Sequence, residues 1–224
     1  MSTSIDVGGR LGRRWRRLSY RRIYNRFRDY TMVPKSSYVQ NLELADAGVA
    51  VPGCVVECGV WRGGMSAGLA KVLGNSRTYY LFDSFAGLPP AQAIDGEKAL
   101  RYQSEKSSPH YHDNCKAEQD FADRAMRLAG VRSFVCMKGW FHETLPTFAP
   151  RERIALLRLD GDWYESTILC LDHLYDRIEP GGLILIDDYY TWDGCSRAVH
   201  DFLSKRSAPE KLEQMGGLAF MRKH

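Results

Sequence analysis

Four aspartates in the C-terminal half of the chain are spaced in a way that suits metal chemistry. They are Asp160, Asp162, Asp187 and Asp188. The first two follow an apolar run at 154–159, and the other two follow a run at 183–186. If these runs are neighbouring strands, all four carboxylates meet at one edge of the sheet, and in an extended backbone Asp160 and Asp162 point the same way. Converging negative charges need a positive partner, and Mg²⁺ is a hard cation that accepts carboxylate oxygens.

A structural interpretation of the same aspartates stays open. Asp162 with Glu165 fits the capping-box pattern at the start of a helix. The pair Asp187 and Asp188 fits a cap for the turn before the last helix. We favour a metal site for the cluster as a whole, and the helix cap is the main alternative for Asp162.

A second candidate site lies where a β-branched run ends in a glycine-rich turn. Residues 55–64 read VVECGVWRGG, and such a turn lets a ligand approach the backbone and a helix N-terminus. The dinucleotide fingerprint is not met, because Glu57 replaces its first glycine. An acid there suits a cationic amino group, as in S-adenosylmethionine. Asp83 ends the next predicted strand, where it can accept ribose hydroxyls. Capping or loop solvation would explain either acid alone, but their shared position favours a nucleoside site.

The elements that would hold these residues alternate between strand and helix. Strands are predicted at 53–58, 78–83, 133–137, 154–159, 183–186 and 218–221, and helices at 13–30, 36–50, 63–73, 117–129, 163–177 and 195–205. This alternation predicts an α/β fold with a parallel sheet covered on both faces. The polar residues 86–118 are expected to form a long insertion or lid. We divide the chain into a basic helical extension, 1–50, and a domain, 51–224.

Composition favours an ordinary soluble enzyme or binding protein. The 224 residues are 44% hydrophobic and 26% charged, which is typical of globular proteins. We find no apolar run long enough to span a bilayer and no secretion signal. Six cysteines without a C-x-x-C pair argue against zinc. We therefore expect free thiols and a reducing, cytoplasmic location.

Positive charge is concentrated at the N-terminus. The first 28 residues contain nine arginines and a single acid, Asp6, although the whole chain carries a net charge of only +4. An arm of this kind can bind an anionic surface, which would place the protein peripherally at the inner membrane face. The alternative is that the aromatic stripe Tyr20, Ile23, Tyr24 and Phe27 packs on the domain or on a second copy of the chain. We favour this alternative.

Taken in order, these segments resemble the metal-dependent sugar O-methyltransferases of macrolide and aminocoumarin pathways, of the macrocin and mycinamicin type. The matching segments are 31–32, 57–64, 83–89, 139–146, 159–167, 180–182 and 187–189. The resemblance implies a Rossmann-like class I methyltransferase fold, with a mostly parallel seven-stranded sheet whose last pair is antiparallel. The chain departs from the resembled enzymes in its short length, its basic arm and its Trp163, where a smaller apolar residue is usual.

The resemblance also implies roles for individual residues. The residues expected to contact S-adenosylmethionine are Thr31, Met32, Glu57, Cys58, Gly59, Val60, Trp61, Asp83, Ser84, Gly139, Trp140 and Asp160. By the same mapping, Asp160, Asp187 and Asp188 hold Mg²⁺, and Asp162 is the general base. The histidines and tyrosine at positions 110–112 are expected to be solvated loop residues, and His142 and His173 to be structural.

The expected function is therefore Mg²⁺-dependent O-methylation of a sugar hydroxyl in a glycosylated natural product or saccharide. A catechol-type phenol O-methyltransferase is the first alternative, and a non-catalytic binding protein on the same fold is the second. Nucleic acid is not an expected partner, because the Asn/Asp-Pro-Pro-Tyr/Phe motif used on exocyclic amines is absent.

Overall fold

The structure is a computed structural model that describes residues 7–109 and 111–224, with side chains described from residue 16 onward. Its helices are α1 (Val7–Phe27), α2 (Lys35–Gly48), α3 (Gly64–Leu73), α4 (Glu97–Ser104), α5 (Gln119–Ala129), α6 (Phe141–Thr144), α7 (Tyr164–Leu174) and α8 (Asp193–Arg206). Its strands are β1 (Cys54–Cys58), β2 (Tyr79–Asp83), β3 (Phe134–Lys138), β4 (Ile154–Leu159), β5 (Ile178–Ile186), β6 (Glu213–Met215) and β7 (Leu218–Arg222).

The strands form one sheet in the order β3-β2-β1-β4-β5-β7-β6. The first five strands in this order are mutually parallel, and β7 is antiparallel to both β5 and β6. This arrangement confirms the predicted α/β class, the seven strands and the antiparallel end of the sheet. The direction of the connections reverses between β1 and β4. Ligands of open α/β sheets bind beyond the carboxyl ends of the strands at such a reversal.

Alternating side chains bury the two faces of the sheet against different helices. Val55 and Leu156 belong to a core shared with α1, α2, α3 and α5. Their neighbours Val56 and Leu157 belong to a second core, shared with α7 and α8. A strand that is apolar at every position is typical of a sheet covered on both sides, and β4 is buried at all six of its residues.

Several boundaries differ from those predicted. Strand β5 begins at Ile178 instead of 183, because the Pro180-Gly181-Gly182 segment continues the strand. The short elements α6 and β6 were not predicted, since they lack enough residues to show a period. The polar segment 86–118, predicted as a long insertion or lid, contains a regular helix, α4, and two 3₁₀ turns that were not predicted.

The N-terminal extension lies against the domain. Helix α1 starts at Val7, and residues 1–6, including Asp6, lie outside the described part of the chain. The aromatic stripe is buried at Tyr20 and Phe27, which matches the interpretation that it packs on the domain. Helix α2 ends at Gly48, just before the predicted boundary at residue 50. It contacts the domain beyond that boundary, since the Tyr38 hydroxyl donates to the carbonyl of Gly64 at 2.8 Å. Within the described residues, no helix has the length and apolar character needed to cross a membrane.

Candidate functional site

A cavity of about 630 Å³ opens at the carboxyl ends of the parallel strands. It brings together most of the residues that the sequence singled out. Those that line it are Met32, Gly59, Trp61, Asp83, Ser84, Gly139, Trp140, Asp160, Asp162, Asp187 and Asp188. All of these residues except Met32 end or follow β1 to β5, so the parallel sheet explains how segments distant in the chain meet at one place.

Four residues expected at the cofactor do not line this cavity: Thr31, Glu57, Cys58 and Val60. The Thr31 hydroxyl accepts the backbone N–H of Val33 at 3.1 Å. Cys58 and Val60 are buried in the two apolar cores. Any contact that they make with a ligand would therefore be through the backbone.

Glu57 shares the face of β1 that points towards α3, and its partners are protein groups. One carboxylate oxygen accepts the Ser66 hydroxyl, and the other lies 2.6 Å from Nη1 of Arg158. Burial raises the pKa of Glu57 to about 7, although Arg158 opposes the shift. The sequence analysis assigned Glu57 to a cationic amino group of a ligand. In the structure, the cation beside Glu57 is Arg158, a residue of the chain itself.

Asp83 organises the glycine-rich turn. Its Oδ2 accepts the backbone N–H groups of Val60 and Trp61 at 2.7 and 2.8 Å, and its Oδ1 accepts that of Phe85 at 2.6 Å. Trp61 and Phe85 both have positive φ values, of 50° and 53°, so three charge-assisted hydrogen bonds hold a strained backbone. Burial raises the pKa of Asp83, against these hydrogen bonds.

Arg158 on β4 is fully buried among carboxylates. Its Nη1 contacts Glu57 and also Oδ2 of Asp160, at 2.7 Å. Its Nη2 lies 2.7 Å from Oδ1 of Asp187. Its Nε donates to the Asn41 side chain at 3.1 Å, and the amide of Asn41 donates in turn to Asp187 at 3.1 Å. One guanidinium therefore joins α2, β1 and the ends of β4 and β5.

Three carboxylates lie close enough together to hold one cation. Asp160, Asp187 and Asp188 each offer an oxygen, and these oxygens lie within 4.8 Å of one another. Burial raises the pKa of Asp160 to about 6, and burial together with Asp162 raises that of Asp188 well above its usual range. Among the described residues that line the cavity, none is a lysine or arginine. An all-oxygen donor set with excess negative charge fits a hard divalent ion such as Mg²⁺.

Asp162 lies beside this trio with a strained backbone. Its φ is 58°, so the assumption of an extended backbone from Asp160 to Asp162 was wrong. Its N–H donates to Oδ2 of Asp188 at 3.0 Å, and its own Oδ1 accepts the indole N–H of Trp192 at 2.8 Å. Burial, followed by the charge of Asp160, raises the pKa of Asp162 to about 8.

The helix-cap interpretation of Asp162 was also wrong. Helix α7 has Trp163 at its N-cap position and receives no hydrogen bond from that side chain. The N–H of Tyr164, the first residue of α7, instead donates to Oδ1 of Asp95 at 2.7 Å. Asp95 belongs to the 86–118 segment, so the cap is supplied from a distant part of the chain and the Asp162 carboxylate stays free of that role.

The rest of the cavity lining consists of residues that the sequence did not single out as ligand contacts. They include Pro89, Pro90, His112, Cys115, Phe141, His142, Glu165, Leu169, Thr191 and Trp192. His142 was expected to be structural, but it is exposed and lines the cavity. His112 also lines it, whereas His110 lies outside the described residues. The position of His142, directly after the predicted Gly139-Trp140 contacts, is the signal that could have placed it.

The sequence matches the macrocin-O-methyltransferase (TylF) family over residues 26–223. Over 200 residues it is 37% identical to 8-demethyl-8-(2,3-dimethoxy-alpha-L-rhamnosyl)-tetracenomycin-C 4'-O-methyltransferase of Streptomyces olivaceus, covering 84% of this chain and 70% of that protein. Mycinamicin III 3''-O-methyltransferase of Micromonospora griseorubida is 35% identical, over 74% of this chain and 66% of its own length. Demethyldecarbamoylnovobiocin O-methyltransferase of Streptomyces niveus is also 35% identical, over 72% of this chain and 62% of its own length.

Solved structures agree with this match. The O-methyltransferase NovP superposes with a TM-score of 0.72 at 29% identity, covering 87% of this chain and 82% of its own. The calicheamicin methyltransferase CalS11 superposes with a TM-score of 0.60 at 24% identity, covering 90% of this chain and 91% of its own, and so supports the fold alone. The fold is that of the class I S-adenosylmethionine-dependent methyltransferases.

Proposed function

Because the chain belongs to the macrocin-O-methyltransferase family, we propose that it transfers a methyl group from S-adenosylmethionine to a sugar hydroxyl with the help of Mg²⁺. The acceptor class is a glycosylated natural product or saccharide, since the relatives above are named for acceptors of this kind. The observation that carries the proposal is one cavity that holds a trio of carboxylates beside a fourth, Asp162.

The cofactor half of the cavity would be formed by the turn after β1 and the ends of β2 and β3. Backbone around Gly59 and Trp61 would approach S-adenosylmethionine, with Asp83 and Ser84 towards its ribose and Trp140 beside its base. Bound S-adenosylmethionine supplies an electrophilic methyl group on a sulfonium. Asp83 accepts two backbone N–H groups of this turn, those of Val60 and Trp61, and so stabilises its conformation.

The metal half would be formed by Asp160, Asp187 and Asp188. Bound Mg²⁺ supplies a Lewis acid that positions a hydroxyl and lowers its pKa. Arg158 occupies Oδ2 of Asp160 and Oδ1 of Asp187, which leaves the second oxygen of each for the ion. Arg158 would thus hold Asp160 and Asp187 in place while one oxygen of each stays available to the ion.

Asp162 would act as the general base. Its Oδ1 accepts the indole N–H of Trp192, so Oδ2 would be the oxygen that takes the proton of the acceptor hydroxyl. The deprotonated hydroxyl oxygen would then accept the methyl group that bound S-adenosylmethionine supplies. Burial raises the pKa of the Asp162 carboxyl in the metal-free chain, and the positive charge of bound Mg²⁺ would oppose that shift and favour the ionised base.

The test is methyl transfer from labelled S-adenosylmethionine to a panel of glycosides, with catechol as the phenol alternative. Transfer should require Mg²⁺ and stop with EDTA. Asp162→Asn should lower kcat by about 100-fold or more while calorimetric Mg²⁺ binding stays within about threefold. Asp188→Asn should weaken Mg²⁺ binding itself. Asp201→Asn on the outer helix α8 is the matched control and should leave both quantities unchanged. Full activity in EDTA together with an unimpaired Asp162→Asn would refute the assignment.

A further inference from the structure

The indole of Trp192 contacts the proposed base directly. Its Nε1–H donates to Oδ1 of Asp162 at 2.8 Å, and its ring lines the cavity. We infer that Trp192 is a positioning residue, which holds the Asp162 carboxylate so that Oδ2 alone is free to accept the acceptor proton. This inference rests on the proposed function, because it assumes that Asp162 is the base.

Asp162 needs such a partner because its surroundings oppose a fixed carboxylate. The residue has a left-handed backbone, a region that non-glycine residues rarely adopt. Its carboxylate lies among the like charges of Asp160 and Asp188, which repel it at short range. A hydrogen bond from a neutral donor to one oxygen offsets this repulsion and fixes the direction of the other oxygen.

Trp192 is itself held from several directions, so its N–H is well placed to orient another group. Its backbone N–H donates to the carbonyl of Asp188 at 3.0 Å. Its ring packs edge-on against Trp163, at 5.1 Å between centroids, and against Tyr102, at 5.8 Å. Lys98 places its ammonium 4.7 Å from the ring centroid, a cation–π contact.

Two of these contacts come from α4, which belongs to the 86–118 segment. Lys98 also donates to the carbonyl of Thr191 at 2.9 Å. Helix α4 therefore contacts both the ring of Trp192 and the backbone just before it. The base is therefore oriented through a chain of contacts that starts in the segment covering the acceptor side. A shift in the position of α4 would therefore move the Trp192 indole and, through its hydrogen bond, the Asp162 carboxylate.

The test compares two aromatic side chains that each donate a hydrogen bond to an aspartate. Trp192→Phe keeps a ring but removes the N–H that Asp162 accepts. The control, Tyr20→Phe, also keeps a ring and removes a hydrogen bond, but that bond goes from the Tyr20 hydroxyl to Oδ2 of Asp46 at 2.6 Å. Neither Tyr20 nor Asp46 lines the cavity, so the control substitution should leave the site unchanged.

We expect Trp192→Phe to lower kcat by about 10- to 100-fold, the loss typical of a hydrogen bond to a charged group. KM for the glycoside and the Kd values for Mg²⁺ and S-adenosylmethionine should stay within about twofold, as should kcat of Tyr20→Phe. Trp192→His, which restores a ring N–H, should recover part of the loss and serves as the second variant if the phenylalanine variant melts early. Wild-type kcat in Trp192→Phe would overturn the inference.

A double-mutant cycle with Asp162→Asn separates positioning from a general structural role. If Trp192 acts through Asp162, adding Trp192→Phe to Asp162→Asn should lower kcat by less than about twofold further. A full additional loss would show that the indole acts independently, which contradicts the inference while leaving the proposed function intact. A fully active Asp162→Asn would instead remove the base assignment, and with it the premise of the inference.

Discussion

Arg158 places one positive charge among carboxylates that the sequence suggested for a metal. The guanidinium contacts Glu57, Asp160 and Asp187, while Asp162 and Asp188 have no ion pair with it. One positive charge cannot neutralise five carboxylates. The excess negative charge that remains beside Arg158 still favours a divalent cation. The arginine fixes two of the proposed metal ligands, Asp160 and Asp187, and a bound divalent cation would complete the charge balance.

Replacing Arg158 by methionine should destabilise the metal-free protein by about 3–5 kcal/mol, because breaking a buried ion pair leaves uncompensated charge. The measurement is urea unfolding in EDTA. Arg17→Met is the control, since Arg17 pairs with Glu43 at 3.1 Å on the surface and such pairs contribute about 0–1 kcal/mol. Equal losses in the two variants would contradict the role of Arg158 as the internal counter-ion.

The acidic cluster should also make stability depend on pH. Burial raises the pKa values of Asp160, Glu57 and Asp162 to about 6, 7 and 8, whereas unfolded carboxyls titrate near about 4. The folded state therefore binds these protons more tightly than the unfolded state does. The stabilisation from this difference is fully present below about pH 4 and is lost as the pH rises through the folded-state pKa values.

In EDTA, the melting temperature should fall between pH 5 and pH 9. Mg²⁺ should raise it more at the alkaline end, because protons compete with the ion for the same oxygens. Differential scanning fluorimetry across this range gives both curves. A melting temperature that rises with pH in EDTA, or an Mg²⁺ effect that is larger at pH 5, would be inconsistent with raised carboxyl pKa values.

Individual residues were predictable where their position along a strand decided their surroundings. Asp83, Asp160, Asp187 and Asp188 end or follow strands and reach one edge of the sheet, as the alternating pattern indicated. Trp192 escaped prediction because its role depends on a contact 30 residues away in the chain, with Asp162. No period or spacing in a single sequence encodes such a pairing.

At the scale of elements, the N-terminus of α7 depends on the 86–118 segment. Asp95 is buried, accepts the N–H of Tyr164 and also accepts that of Gln92 at 2.8 Å. The indole of Trp163 donates to the carbonyl of Pro89 in the same segment. Helix α7, which follows the aspartate cluster, is therefore held at its N-terminus by the segment that the sequence analysis predicted to be a long insertion or lid.

Asp95→Ala should destabilise the protein by about 1–2 kcal/mol, the usual loss of an N-cap. It should also speed hydrogen exchange selectively in the first turn of α7. Exchange mass spectrometry with Asp113→Ala, an exposed acid of the same segment, provides the comparison. Unchanged protection at Tyr164 and the residues just after it would show that Asp95 does not cap the helix.

The principal strands and helices were predictable, because their apolar periods are long enough to read. The interior of 86–118 was not, since α4 has one buried residue, Ala99, and little apolar signal. What orders that segment is contact with α7 and α8 across the cavity, which follows from the tertiary structure and not from local propensity.

At the scale of the whole molecule, the basic arm is attached through its aromatic side chains. Phe27 is fully buried, and Arg16 and Arg17 pair with Asp46 and Glu43 of α2 at 3.3 and 3.1 Å. Helix α2 in turn reaches the aspartate cluster through Asn41. The division of the chain at residue 50 stays a prediction, and these contacts lead us to propose that the extension folds with the domain.

Phe27→Ala should lower the free energy of unfolding by about 3–5 kcal/mol, as expected for a large side chain removed from a core. Leu18→Ala in the same helix should change it by about 0.5 kcal/mol or less, because Leu18 is 38% exposed. Chemical denaturation of both variants measures these two free energies of unfolding. Similar small effects would mean that α1 does not pack on the domain in solution.

The cap that Asp95 gives to α7 has a consequence for protein engineering. Exchanging residues 86–118 between relatives is an obvious way to graft a new acceptor preference, because this segment covers one side of the cavity. A graft without an acid at position 95 would release the N–H of Tyr164, two residues after Asp162. Chimeras that retain this acid and the Pro89 carbonyl that accepts the Trp163 indole N–H should keep their turnover while changing their acceptor. A transplanted segment should therefore share at least these two positions with its host.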